Sequence, residues 1–175
     1  MKVVAFGGST SSTSINKELA ALALSYFKDS QTELIDLNTD TAPIFSVNLE
    51  KQGYPDSIKK FIDKLAQADV VICSSSEHNR DLTAAFKNIL DWSSRIELKF
   101  LKDKPVLLLS TSPGGYGGKN ALDKSKMILE SFGAKIPQTF SLPKYFDNFD
   151  PAIGISDSEL KNQFEQTLQD FKATL

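Results

Sequence analysis

Short apolar runs of strand length recur along the chain at residues 3–6, 34–37, 70–73, 106–109 and 140–142, unbroken at 3–6, 70–73 and 106–109 and several of them rich in valine or isoleucine. Runs without polar alternation suit strands covered on both faces. Between them apolar residues recur at helical spacing: Ile15, Leu19, Leu22, Ala23, Tyr26; Ile58, Phe61, Ile62, Leu65; Leu82, Phe86, Ile89, Leu90; Ala121, Leu122, Ile128, Leu129, Phe132; and Leu160, Phe164, Leu168, Phe171, Leu175. Strand and helix alternate strictly. The pattern predicts one α/β domain over residues 1–175, a five-stranded parallel sheet between two helical layers. Residues 38–54 form an excursion longer than such connections usually are. There is no internal repeat or low-complexity tract.

An open parallel sheet binds ligands beyond the carboxyl ends of its strands, where strand order reverses; for the order 2-1-3-4-5 that crevice lies between strands 1 and 3. Three segments meet there: residues 7–14, 74–81 ("SSSEHNRD") and 110–118 ("STSPGGYGG"). All three are unusual in composition, whereas the opposite strand ends carry ordinary polar residues such as Lys2, Asp69 and Lys104.

The first segment places Gly7 and Gly8 before six hydroxyl side chains in succession, Ser9 to Ser14, and then opens a helix. Amides without intrahelical partners and the positive end of the helix dipole point into such a loop. Hydroxyls add donors, and the glycines permit a sharp turn and close approach. The combination suits a phosphate held without a fixed positive charge; the plainer alternative is that the hydroxyls only cap the helix. A dinucleotide fingerprint counted from Gly8 would need glycines at Thr10 and Thr13, although Asp36 ends the second strand where a ribose-binding acid would stand. No nucleotide-hydrolysing P-loop and no GxSxG nucleophile elbow occurs, and no acidic residue precedes Lys17.

Twenty basic and 22 acidic residues, interspersed for a net charge of −2, offer no footprint for nucleic acid and no polybasic membrane patch. The single cysteine, Cys73, excludes an internal disulfide and a multi-cysteine metal site, and sits in an apolar run as a core thiol. No run approaches the ~18 apolar residues of a membrane helix, and the N-terminus has strand character, so a cytoplasmic protein is expected.

The motifs resemble those of the NADPH-dependent FMN reductase family, flavodoxin-like flavoproteins that include quinone, chromate and azo-dye reductases. The family's G-S-x-R-x-x-S-x-N is matched by Gly8, Ser9, Ser14 and Asn16, with Ser11 in place of the arginine. Its P-E-Y-N-G-S-x-P, then L-K-N-x-x-D-W, is matched by Glu77, Asn79, Lys87, Asn88, Asp91 and Trp92. There the tyrosine becomes His78, the glycine Arg80, the serine Asp81, and the prolines Ser76 and Thr83. "STSPGGYGG" is similar to its S-x-G-x-x-G-G loop and "PIFSVNLE", residues 43–50, to its L-P-x-Y-x-x-D-L-E segment.

The resemblance implies a flavodoxin-like three-layer α/β/α fold that binds FMN. Ser9, Ser11, Ser14, Ile15 and Asn16 would surround its phosphate. Ser76, Glu77, His78 and Asn79 would run along the flavin ring, and Ser112, Pro113, Gly114, Gly115 and Tyr116 would enclose the other edge. Losing the motif arginine removes a charge-assisted contact. NADPH or NADH would reduce the flavin, which would reduce a quinone, azo compound, metal oxyanion or free flavin; no catalytic side chain is then required. A flavodoxin-type electron carrier that does not oxidise NAD(P)H, or a flavin-free chain that binds another phosphate ligand, are the alternatives.

The helix over residues 82–96 carries two apolar stripes, Leu82, Phe86, Leu90 and Ala85, Ile89, Trp92, Ile96. Together they span more than the ~100° that packing on one sheet requires. Either a neighbouring helix takes the second stripe, or a second copy does. The resemblance implies a homodimer, or a dimer of dimers, with Trp92 at or near the interface.

Overall fold

The computed structural model describes residues 1–39 and 41–175, so that Asp40, within the 38–54 excursion, lies outside the described residues. The chain runs β1 (Lys2–Gly7), α1 (Ile15–Ser25), β2 (Gln31–Ile35), α2 (Val47–Glu50), α3 (Asp56–Gln67), β3 (Val70–His78), β4 (Asp81–Leu82), α4 (Ala84–Ile96), β5 (Pro105–Thr111), α5 (Lys119–Ser131), β6 (Lys135–Leu142), α6 (Tyr145–Asn148), β7 (Phe149–Asp150), β8 (Gly154–Ile155) and α7 (Ser158–Lys172). The long strands pair in parallel in the order β2-β1-β3-β5-β6, with β4 attached to β3. This is the expected flavodoxin-like arrangement, with the order reversing between β1 and β3.

Successive strand residues enter opposite cores, which is why the strands read as continuous apolar runs. Val4, Phe6, Val71, Cys73, Val106 and Leu108 pack with α3, α4 and Leu122 and Leu129 of α5. Val3, Ala5, Val70, Ile72, Leu107 and Leu109 pack with α1 and α7. Cys73 is fully buried, and that burial pushes its thiol well above the usual range. It is an inert core residue.

Two boundaries move for physical reasons. The second strand starts at Gln31, not near Leu34, because β2 is a sheet edge on which Gln31, Thr32 and Leu34 face solvent and no apolar run marks its start. The third strand continues through the serines to His78 and turns back into β4 across His78↔Asp81. Residues 74–81 are therefore a strand extension and a two-residue hairpin, not a loop. Ser74 and Ser75 stay inside the sheet because their hydroxyls are satisfied there, by Asn16 Oδ1 at 2.8 Å and Ser125 Oγ at 2.6 Å.

The second stripe of α4 finds its partner within the same chain. Trp92 is 1% exposed, its indole N–H donates to the Pro43 carbonyl at 2.7 Å, and its ring meets Phe45 edge to face. Asn88 draws in the same segment, accepting from the Phe45 amide at 2.8 Å and donating to the Pro43 carbonyl at 3.0 Å. The Pro43–Phe45 part of the excursion thus covers Trp92, which is not an available surface residue.

Candidate functional site

The site is built where β1, β3 and β5 end side by side, Gly7 opposite Ser74 and Ser76 opposite Thr111. One buried side chain ties these ends together. Asn16, 3% exposed in the first turn of α1, accepts from the Ser74 hydroxyl at 2.8 Å and the Thr111 amide at 3.0 Å. It also donates to the Thr111 carbonyl at 3.0 Å. Expected beside the phosphate, Asn16 lines the cleft and also bonds the strand ends through its side-chain amide.

The hydroxyl loop folds on its own oxygens. The Ser11 amide donates to Ser9 Oγ (3.1 Å), the Thr13 amide to Ser11 Oγ (3.3 Å) and the Lys17 amide to Ser14 Oγ (3.1 Å). The last contact is the N-cap of α1. The hydroxyls thus cap and turn the chain by accepting, and those of Ser11 and Thr13 share a hydrogen bond at 3.3 Å. Among the described residues, the amides of Ser12, Ser14, Ile15 and Asn16 have no protein partner. The Lys17 ammonium, next to the loop in sequence, pairs with Asp36 at 2.6 Å. That bond and the Asn38 amide hold the Asp36 carboxyl below its usual range, so the acid that ends β2 serves an ion pair.

Opposite the loop lie the β3–β4 hairpin and the segment after β5. Glu77 accepts from the Ala121 amide at 3.1 Å and from Asn120 Nδ2 at 3.3 Å, and so caps α5, whose own N-cap residue is Gly118. Thr83, at a position where the resemblance expects proline, caps α4 by accepting from the Phe86 amide at 3.1 Å and donates to the Gly8 carbonyl at 2.7 Å. A threonine just before an apolar helical run is a cap signal that sequence alone could have supplied. Nothing local points to Glu77 as a cap for a helix more than forty residues away.

A cleft of about 350 Å³ lies between these walls, inside the ~300–1,000 Å³ range of cofactor and small-molecule sites. Ser9, Ser11, Ser14, Ile15 and Asn16 line one side, Ser76, Glu77 and His78 another, and Ser112 and Pro113 a third. Ser76 Oγ is buried and has no partner among the described residues. Such a hydroxyl calls for a ligand or water. Asn79 stands at the hairpin tip, and Gly114, Gly115 and Tyr116 lie exposed beyond the cleft. No group of three or more metal-ligating side chains occurs among the described residues.

The family model for NADPH-dependent FMN reductase matches residues 1–147. The chain is 31% identical to an NADPH:quinone oxidoreductase of Arabidopsis thaliana, over 99% of this chain and 91% of that protein. It is 30% identical to an NAD(P)H:quinone oxidoreductase of Solanum tuberosum, over 96% and 89%. Among solved structures, the FerB flavoenzyme NAD(P)H:(acceptor) oxidoreductase of Paracoccus denitrificans superposes with a TM-score of 0.77 at 22% identity, covering 97% of this chain and 94% of that one.

Proposed function

This chain belongs to the NADPH-dependent FMN reductase family and is an NAD(P)H-dependent flavin oxidoreductase, and we propose that it holds FMN in the cleft between the hydroxyl loop and the β3–β4 hairpin. The observation that supports the placement is one cleft lined by Ser9, Ser11, Ser14 and Ser76 at the strand ends, with the buried Ser76 hydroxyl left without a partner among the described residues. The Ser9, Ser11 and Ser14 hydroxyls and the free amides of the first turn of α1 would hold the phosphate, in place of the family's arginine. Ser76, His78 and Asn79 would follow the ring system, and Ser112 to Tyr116 its other edge. Asn16 and Glu77 act as positioning residues, one holding three strand ends in register and the other anchoring the hairpin on α5. FMN held there would supply the hydride and electron chemistry between NAD(P)H and a small acceptor, and the chain's own residues would bind and orient it.

A quinone is the acceptor this reading favours, because both named plant relatives carry quinone in their descriptions. The family match speaks against a pure electron carrier. Titration of flavin-free protein should give tighter binding of FMN than of FAD, and NADPH or NADH should then bleach the bound flavin anaerobically. Equal or tighter FAD binding defeats the placement, and a flavin that neither donor bleaches restores the carrier.

The same proposal takes residues 1–175 as a single working domain acting in the cytoplasm; no helix among the described residues is long and apolar enough to cross a membrane. It also takes the protein as a homodimer. With Trp92 covered, the segment that covers it still exposes apolar side chains, among them Ile44 at 84% and Val47 at 58%. Sedimentation equilibrium at micromolar concentration should show a dimer that Ile44→Glu shifts toward monomer. A monomeric wild type, or a variant that stays dimeric, defeats this interface.

A further inference from the structure

A second cavity, of about 390 Å³, shares Glu77 with the cleft and is otherwise lined by Arg80, Tyr116 and Asn120. Its polar groups are unequally free. Glu77 and Asn120 are bonded to each other at the start of α5. Asp81, the acid next to Arg80 in sequence, is paired with Lys124 at 2.5 Å. Arg80 is exposed and its guanidinium has no hydrogen bond or ion pair among the described residues, and Tyr116 is 63% exposed. The cavity thus offers one uncommitted cation beside one uncommitted aromatic face.

Arg80 also occupies a costly backbone position. It and Asn79 form the two-residue hairpin turn with φ of 64° and 52°. A turn of that kind favours glycine at its second position, and the resembling motif has glycine there. A strained residue beside a cleft marks a place where the side chain rather than the backbone has been favoured.

We infer that the cavity between the hairpin tip and Tyr116 is an anion subsite for the second reactant, with Arg80 pairing a phosphate, sulfonate or carboxylate and Tyr116 lying against its aromatic part. The inference deepens the proposed function and rests on it, because the reactant must reach the flavin through the adjoining cleft. The anion has two sources, the 2′-phosphate that separates NADPH from NADH, or a charged group on the acceptor. Arg80 is a specificity residue on this reading.

The test compares Arg80→Gly, which suits the turn, and Arg80→Lys, which keeps the charge, with the wild type. Adenosine 2′,5′-bisphosphate and anthraquinone-2-sulfonate are titrated calorimetrically into each FMN-loaded protein, a readout that needs no turnover. Arg80→Gly should melt at a higher temperature than the wild type and weaken one of the two probes about tenfold, the scale of one charge-assisted contact. Arg80→Lys should retain most of the affinity. In turnover, KM should rise for NADPH but not NADH, or for the sulfonated quinone but not menadione, with kcat changing little. Loss of the bisphosphate identifies the donor and loss of the sulfonate the acceptor. Unchanged binding of both by Arg80→Gly overturns the inference. A wild type that binds a probe but does not oxidise NADPH defeats the proposed function and leaves the subsite standing.

Discussion

Replacing Asn16 with alanine will lower the melting temperature of the flavin-free protein by roughly 6–12 °C, because it strands three buried polar groups at once. The Ser74 hydroxyl and both the N–H and C=O of Thr111 lose their side-chain partner. Each unsatisfied group costs about 1–3 kcal/mol. Water entering from the adjoining cleft will recover part, leaving a net loss of about 3 kcal/mol, and each kcal/mol shifts the midpoint by about 2–4 °C in a chain of this size. Ser74→Ala removes one of the three contacts and should cost about 1 kcal/mol. The double variant should cost less than the two losses added, since both remove the same bond. Thermal melts of the flavin-free variants decide the matter. If Asn16→Ala melts like the wild type yet no longer takes up FMN, the residue is a phosphate ligand after all and not the tie between the strands.

Asn16 shows where sequence reasoning reaches its limit. Its position was legible, since the first motif places it at the opening of α1, but its partners were not, because Thr111 is 95 residues away. The central strands were legible for the opposite reason: β1 and β5 are covered on both faces, so burial leaves an unbroken apolar signature. The same signature misled over β3. Serine reads as loop, and only the long-range bonds of Ser74 and Ser75 to Asn16 and Ser125 allow it to continue the strand. The hairpin was hidden because Asn-Arg is not a usual turn pair. On α4 the wide apolar arc is legible but the segment over Trp92 is not, since Pro43–Phe45 has no helical period to announce it. Irregular segments cover apolar surface as effectively as helices do, without a repeating pattern.

The glycines supply the other large effect, and they separate residues that look alike in sequence. Gly7→Ala should cost about 1–3 kcal/mol as an overpacking change and reduce FMN affinity more than tenfold. Gly115→Ala should leave stability within about 0.5 kcal/mol. A Cβ on Gly7 would come within 2.5 Å of the Lys17 nitrogen and 2.8 Å of the Asn16 carbonyl carbon, both backbone atoms of the first turn of α1. No rotamer change relieves that contact. The turn itself must move away from the end of β1, taking with it the free amides that face the cleft and straining the bonds of Asn16. A Cβ on Gly115 would meet nothing nearer than Lys144 Cε at 4.0 Å, and its φ lies outside the left-handed region. The third loop is therefore open at Gly115 and closed at Gly117, where φ is 65° and a Cβ would collide with Ser141 Oγ. Thermal melts of the flavin-free proteins, with FMN titrated into each, measure both quantities. Gly7→Ala must lose stability and affinity together, because one displacement causes both. Affinity lost at full stability would place the phosphate against Gly7 itself, and losses of similar size at Gly115 would show that the third loop packs against something other than the open space beside Lys144.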